Sequence, residues 1–411
     1  MKTTFTSISK LVLAAFACFS VTHVLAQNVT TPSSDSIVIN MNMDAVYNRP
    51  FFNPGKIPVA VGGYIEANTQ YQSVNGSSDG FSFQMRRLTL MLSSTIASRI
   101  KFLSEIEFED GSKEIEVEYC AADFEFDPIF NLRGGIILNP IGAYNQNHDG
   151  PRWEFIDRPI SAKKIIPTTL SSVGIGAHGK KYMHNWVVGY EIYLTNGFDD
   201  AIINNDEGRT SLHEGDESPD KFEESYSGLP MTTAKLAIRN RNIGEVGLSY
   251  MTGVYNKWKL NGDVIDAKRT ANVIAVDFNL SFLANRLNIV GEVARVNVVL
   301  PDSVGQQYGN KQWGGYTDVV FTLMQRRICG WNNSKLNIGT RIEYDDFNEG
   351  YFDGTSTKKG DDVTAIVPFV SFRPAGTTVI RLNYRIESYN NLYNTETTRV
   401  EAIQFGLSTY F

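Results

Sequence analysis

Four cations, Arg152, Arg158, Lys163 and Lys164, fall within one long polar stretch, residues 140–172, together with the acids Asp149, Glu154 and Asp157. Fixed positive charge in a narrow, low-dielectric aperture concentrates anions, and rings of Arg or Lys are how anion pores select. The competing reading pairs Arg158 with Glu154 or Asp157 to stiffen the stretch, and the two readings are compatible. A second stretch, 196–230, carries Asp199, Asp200, Asp206, Glu207, Glu214, Asp216, Glu217, Asp220, Glu223 and Glu224. It reads as a solvated acidic loop, or as one bridged by divalent cations to lipopolysaccharide phosphates, although 206–216 lacks the spacing of a calcium loop. No catalytic constellation accompanies these charges. His148, His178, His184 and His213 have no metal-ligand spacing and no cysteine beside them, so neither a metal nor another cofactor is expected. The chain has no Gly-x-Ser-x-Gly elbow, and Gly134-Gly135 and Gly174/Gly176 open no helix that could cradle phosphate. An enzyme is not expected.

The elements that must position these residues are strands. Counting back by twos from Phe411, the residues Thr409, Leu407, Phe405 and Ile403 alternate with Tyr410, Ser408, Gly406 and Gln404. One apolar face and one small, polar face fit the closing strand of a membrane barrel, with lipid outside and a lumen inside. The same alternation sets Ile100, Phe102, Ile106 and Phe108 against Arg99, Lys101, Glu105, Glu107 and Glu109. It recurs with Ile338 and Ile342 against Arg341, Glu343 and Asp345, and with Ile380, Leu382 and Tyr384 against Arg381, Arg385 and Glu387. Charges confined to one parity are costly in a protein core and cheap beside water. Arg99, Lys101, Arg341, Arg381 and Arg385 are therefore placed on the wall of a lumen. Residues 291–300 lose the alternation, which a bulge or a subunit contact would explain. Arg86 and Arg87 are adjacent, so a regular strand points only one of them inward and sends the other to a headgroup, a subunit contact or the rim.

From Val59 onward the chain divides into about sixteen such segments of about ten to sixteen residues each. They begin near Val59, Phe81, Arg99, Lys113, Phe130, Val173, Met183 and Met231, then near Ile243, Lys268, Arg286, Gln312, Lys335, Asp362, Thr377 and Thr397. Every second link is short and the intervening links are long and polar, with 110–112 the one exception. The fold class is thus all-β: a transmembrane antiparallel barrel of about sixteen strands, with short periplasmic turns, long extracellular loops and both termini periplasmic. Residues 59–411 would form the barrel. Residues 1–26 read as a signal peptide, with Lys2 and Lys10 ahead of an apolar run too short to span a bilayer. Cys18 does not make it a lipoprotein leader, because Phe16 stands where a small residue is needed. Residues 27–58 would be a periplasmic arm, either free or tucked into the barrel mouth. Cys120 and Cys329 fall on separate segments, which excludes a disulfide framework. The net charge of −7 excludes nucleic acid as a default partner.

Several motifs, taken in order, carry a resemblance. Phe83-x-x-Arg86-Arg87 lies in an early strand, Gly134-Gly135 ends the fifth, Pro140-x-Gly142 opens the next loop, and Phe155-Ile156-Asp157-Arg158 follows within it. In order and spacing these resemble the phosphate-selective porin O and P family. The motifs cover a minor part of the chain, the strand layout most of it. The resemblance implies a sixteen-stranded homotrimer that admits anions, phosphate among them. Asp157 stands where the family usually has Glu, and Ile141 where Phe is usual. Arg341, Arg381 and Arg385 share their faces with Glu343, Asp345 and Glu387, so a purely basic lining is not expected. The expected function is passive diffusion of small hydrophilic solutes across the bacterial outer membrane, with a preference for anions or phosphate. Alternatives are a sugar or general porin and, less favoured, a barrel enzyme or an adhesin. Expected partners are outer-membrane lipids, lipopolysaccharide, small anionic solutes and two further copies of the chain.

Overall fold

The computed structural model describes residues 41–51, 59–218, 220–305 and 309–411. The expected leader, 1–26, and most of the arm, 27–40 and 52–58, lie outside the described residues. Sixteen antiparallel strands close into one barrel. The first eight are β1 (Val59–Val74), β2 (Phe81–Ala97), β3 (Ile100–Glu109), β4 (Glu114–Asp127), β5 (Phe130–Leu138), β6 (Ser171–Met183), β7 (Trp186–Thr195) and β8 (Met231–Asn240). The second eight are β9 (Gly244–Val254), β10 (Thr270–Phe282), β11 (Leu287–Val298), β12 (Lys311–Ile328), β13 (Trp331–Asp346), β14 (Asp362–Ala375), β15 (Thr378–Asn390) and β16 (Thr397–Tyr410). All sixteen starts expected from the sequence fall within four residues of these. The ring closes between β1 and β16 in a regular register from Tyr64↔Tyr410 to Val74↔Val400. Phe411 adds one more bond, donating its N–H to the Gly63 carbonyl at 3.0 Å, with its ring against the bare Cα of Gly63. Even-numbered links hold two to four residues, whereas β5–β6 and β7–β8 are joined by 139–170 and 196–230. The short β3–β4 link at 110–113 leaves the extracellular rim low on that side.

Alternation sorts the side chains as expected. Ile403, Phe405 and Leu407 on β16, Leu382 on β15, and Ile274 and Val276 on β10 are exposed on the outside. On the inside, Gln404, Ser408, Arg381 and Asn383 are buried. Among the described residues no helix is long and apolar enough to cross a membrane; the crossing is made by strands.

Residues 291–300 need no bulge. β11 keeps an unbroken register with both neighbours, and Ala294, Val296 and Val298 face inward while Val293 and Arg295 face out. The inward face is apolar because Ile141, Ile160, Ile165 and Ile166 from the loop 139–170 pack on it, together with Phe198, Ile202 and Leu212 from 196–230. A loop lying on a barrel wall buries that wall, and the strand then loses its polar face.

Arg86 and Arg87 also depart from expectation. A bulge between Glu66 and Ala67 of β1 leaves Arg86 without a partner in the β1–β2 register, and both arginines make lumenal contacts. Arg87 reaches Glu66, Glu107 and Glu109 at 3.3, 2.8 and 2.5 Å. Arg86 pairs with Asp157 and donates to the Ile156 carbonyl at 3.0 Å. A bulge sends two consecutive side chains to one face, which a strict period of two cannot show. Glu118 and Tyr119 on β4 share the same device, opposite Glu105.

Candidate functional site

The loop 139–170 starts with a turn that only its sequence permits. Gly142 has φ +69°, and a Cβ there would lie 2.3–2.5 Å from the Glu292 carboxylate. That carboxylate accepts the N–H groups of Ala143 and Tyr144 at 2.7 and 3.1 Å, and Ser249 accepts that of Gly142 at 2.9 Å. Lys235 holds the Gly142 carbonyl at 2.5 Å and Asp277 at 2.8 Å. The loop therefore springs from the β8–β11 wall and crosses to the opposite one. Its 3-10 turn at Gly150–Arg152 and its one helical turn at Ser161–Lys164 lie against the lumen wall, and its 3-10 turn at Asn145–Asn147 sits on the arm's turn at Asn42–Asp44 and reaches Glu191 through Gln146 at 2.5 Å.

On the far wall, arginines receive it. Arg381 donates to the Phe155 carbonyl at 2.5 Å and pairs with Glu66 at 2.8 Å. Arg341 grips Asp318 through two bonds of 2.6 and 2.8 Å, donates to the Asp157 carbonyl at 2.8 Å, and stacks 4.1 Å above the Phe155 ring. Arg373 holds Glu154 at 2.6 Å, and Arg385 holds Glu343 at 3.0 Å and also pairs with Glu387. A buried guanidinium is tolerated only when its donors are met, and here carboxylates and loop carbonyls meet most of them.

This corrects the open, water-facing wall of cations read from the sequence. Arg341, Arg381 and Arg385 face inward, yet all three are buried beneath the loop and ion-paired. Arg99 is not on a wall at all: it lies in the exposed turn between β2 and β3. Lys101 pairs with Glu125 at 2.5 Å near the periplasmic end. Arg152 holds the Ala45 carbonyl at 2.6 Å and Tyr410 Oη at 2.9 Å, and so belongs to the arm's seat rather than to an aperture. Arg158 pairs with neither Glu154 nor Asp157; it donates to the Thr168 carbonyl and approaches Glu107 at 3.8 Å. Lys164 pairs with Glu207 at 2.6 Å. Lys163 has no ion-pair partner among the described residues, and its side chain is open to solvent inside the barrel. Crowding by protein lowers its ammonium below the ordinary lysine value, against the pull of Asp157. Burial would raise Asp157, but Arg86, Lys163 and Arg385 hold it well below the usual carboxylate range. Among the family-motif residues, Phe83 is exposed to lipid, Phe155 packs on Phe369 with ring centroids 4.7 Å apart, and Pro140 and Gly142 form the loop's first turn.

What the loop leaves open is a chamber of about 340 Å³ facing outward beneath the low β3–β4 rim. Arg86, Arg87, Arg158, Lys163 and Lys164 line it, and so do nine acids: Glu107, Glu109, Asp110, Glu114, Glu116, Glu118, Asp157, Asp216 and Glu217. A second cavity of about 230 Å³ opens at the periplasmic end between Lys101, Asp123, Glu125, Arg133 and His178.

The two cavities share one wall and are separated by a septum. Along β3 the inward residues run Lys101, Leu103, Glu105, Glu107 and Glu109: the first lines the lower cavity, the last two the upper, and Leu103 and Glu105 between them are fully buried. The arm builds the septum. Val46 packs on Leu103 and Tyr119. Arg49 forks onto Glu105 at 2.8 and 3.0 Å and onto Asp149 at 2.9 and 2.5 Å, so one guanidinium joins arm, wall and loop. Farther along, Asp44 pairs with Lys180, Tyr47 Oη donates to Asp123 at 2.7 Å, and Asn42 N–H reaches Glu245 at 3.0 Å. Described residues 41–51 thus cross the periplasmic mouth rather than hang free. His148 fills the septum from the loop side, with its Nδ1 3.0 Å from the Asn145 carbonyl. Burial lowers its basicity, but Glu105 and Glu118 more than offset this and push it up to about 10. Arg49, Glu105, Glu118 and His148 were not singled out as a site in the sequence, because their partners are fixed by register and loop path, not by spacing.

No protein-family profile matches the chain. An uncharacterized protein of Aquifex aeolicus is 36% identical over 146 residues, 34% of this chain, and the match spans 32% of that relative. Among solved structures, the outer-membrane channel DcaP of Acinetobacter baumannii superposes with a TM-score of 0.54 at 12% identity, over 86% of this chain and 97% of that one. Salmonella typhi OmpF in complex with daunomycin gives 0.53 at 11% identity over 88% and 100%, and an anion-selective porin from Comamonas acidovorans 0.52 at 11% over 86% and 99%. At such identities the likeness is one of fold. A closed barrel with an apolar outer belt and lumenal polar groups has its place in the bacterial outer membrane.

Proposed function

We propose that the protein is a passive outer-membrane channel for small hydrophilic solutes, constricted by the loop 139–170. The observation that carries this reading is that loop: it is anchored across the lumen of a closed barrel and leaves a charged, water-open chamber beside it. Selection would come from aperture size and fixed charge, without coupling to an energy source. Five cations and the imidazole of His213 face nine acids, of which burial leaves Asp216 and Glu217 holding protons near neutral pH, so the acidic excess is small, and Lys163 is the base that keeps an open, unpaired charge. The charge balance therefore favours small cations and dipolar solutes such as sugars or zwitterions over phosphate. The anion preference implied by the family resemblance rests here on Lys163 and Arg158. The homotrimer belongs to the same proposal, as do contacts with lipopolysaccharide and the cleaved leader.

The test is the zero-current potential of the refolded protein in a planar bilayer under a KCl gradient. A cation-selective or weakly selective potential, unaffected by added phosphate, supports the charge argument. An anion-selective potential with phosphate-dependent block would return the reading to the phosphate-selective family. No ion conduction in any folded preparation would remove the channel.

A further inference from the structure

We propose that His148, Glu105 and Glu118 form a binding site for a divalent first-row metal ion, of the kind that zinc occupies, which ties the constriction loop to the barrel wall. The three residues come from the loop, β3 and β4, and each is buried. His148 Nε2 and Glu118 Oε2 both lack a hydrogen-bond partner among the described residues, and they face each other at 3.4 Å. Glu105 Oε1 lies 3.6 Å from the same nitrogen. These separations are too long for charge-assisted hydrogen bonds, which settle near ~2.7–2.9 Å. They match the edge of a tetrahedron whose metal–ligand bonds are about 2.1 Å, which is about 3.4 Å.

The surroundings orient the donors as metal sites require. The Asn145 carbonyl takes His148 Nδ1 at 3.0 Å, which leaves Nε2 free to ligate. Thr169 Oγ1 donates to Glu118 Oε1 at 2.6 Å, which leaves Oε2 turned toward the imidazole. Arg49 fixes both Glu105 oxygens, at 2.8 and 3.0 Å, so Oε1 would be shared between its guanidinium and the ion. Glu118 also lines the outer chamber, so the site has an approach for the ion and for a water in the fourth position. Three buried carboxylates, Glu105, Glu118 and Asp149, face Arg49 and the His148 imidazole, and an ion on Nε2 would take the place of the proton that His148 otherwise holds between Glu105 and Glu118.

The experiment uses the full mature protein, folded in detergent, stripped with chelator and titrated with zinc chloride by calorimetry. Crystals soaked in zinc are then measured at the zinc absorption edge. We expect a saturable site whose affinity falls at least about a hundredfold in His148→Gln and about tenfold in Thr169→Val. The anomalous peak should lie within bonding distance of His148 Nε2. Equal binding by wild type and His148→Gln overturns the proposal, as does a peak confined to the exposed trio Glu114, Glu116 and Glu217. Should His148→Gln fail the heat-modifiable migration that marks a folded barrel, the wild-type anomalous map decides alone, and an empty map at Nε2 overturns it.

Discussion

Replacing Arg49 by Met should unlatch the arm and widen the channel. The Arg49 side chain is about as buried as a group can be, at 1% exposure, and donates four hydrogen bonds to two carboxylates that are equally buried. Removing one partner of a buried ion pair costs about 3–5 kcal/mol, since the charge left behind has no compensation. Here two buried carboxylates lose their fork, and their remaining ionic contacts are longer: Glu105 to His148 at 3.6 Å, and Asp149 to Arg152 at 3.3 Å. Each ~1.4 kcal/mol is tenfold in an equilibrium constant, so the ratio of seated to unseated arm should fall by about a hundredfold to several thousandfold. Single-channel recording gives the readout: a higher conductance, or frequent steps to a higher level that wild type shows rarely. Arg49→Lys keeps a charge but loses the fork, and should fall between. If Arg49→Met folds and conducts as wild type does, with the same selectivity, the arm does not stand in the path and the septum argument fails. Adding Glu105→Gln and Asp149→Asn should restore thermal stability while leaving the conductance high, which separates the latch from the fold.

Other expectations follow from the same geometry. Lys163→Glu should shift the zero-current potential toward cations, because its charge is open to the chamber and unpaired. Arg341→Gln should leave that potential nearly unchanged and instead lower the temperature of heat-modified migration, since it strands Asp318 at a cost of about 3–5 kcal/mol. Gly142→Ala should loosen the constriction loop and raise conductance, because its φ of +69° and the Glu292 carboxylate leave no place for a Cβ. In the loop 196–230, burial pushes Asp216 up to about 7 despite Lys221, and burial with Glu116 and Glu114 pushes Glu217 up to about 8. Folded acids with raised pKa hold protons that the unfolded loop has lost, so packing of this loop should weaken as pH rises from about 4 to about 8. Protection factors over 200–218, corrected for the base-catalysed intrinsic exchange rate, should be larger at pH 5 than at pH 8, and Asp216→Asn should flatten the difference.

The barrel was legible in the sequence because strand period, turn length and lipid contact are local. A face such as Ile380, Leu382 and Tyr384 against Arg381, Arg385 and Glu387 needs no partner to be recognised, since water and lipid do the sorting. The constriction loop was legible as a long link in a barrel. What its charges do was not, since pairing is set by which wall the loop crosses to. Arg341 reads as a lumenal cation either way, and only the tertiary path places Phe155 beneath its guanidinium and Asp318 at its tip. The bulge at Arg86 and Arg87 was hidden for a different reason: one extra residue against β1 changes no composition and breaks a parity rule at a single point. Residues 291–300 misled in the opposite direction, because a wall covered by protein has no reason to stay polar.

The same tertiary path decides how much of the lumen is available for transport. Arginines that a sequence assigns to solute are spent here on holding a loop in place, and a loop so held makes a rigid constriction rather than a flexible lid. On the wall that both cavities share, the septum is made from two chain segments that meet at one residue: Arg49 binds the wall through Glu105 and the loop through Asp149. Neither segment could close the gap alone. Without the arm, Leu103 and Tyr119 would lose their cover from Val46; without the loop, Glu105 would face Arg49 with no His148 or Asp149 behind it. A passage along this wall is therefore controlled jointly: Arg49 uses both oxygens of Glu105, so an ion that takes Glu105 Oε1 draws on the carboxylate that seats the arm, and the two events are coupled. The coupling is reciprocal: zinc at His148 should change the ratio of seated to unseated arm by the same factor by which seating the arm changes zinc affinity.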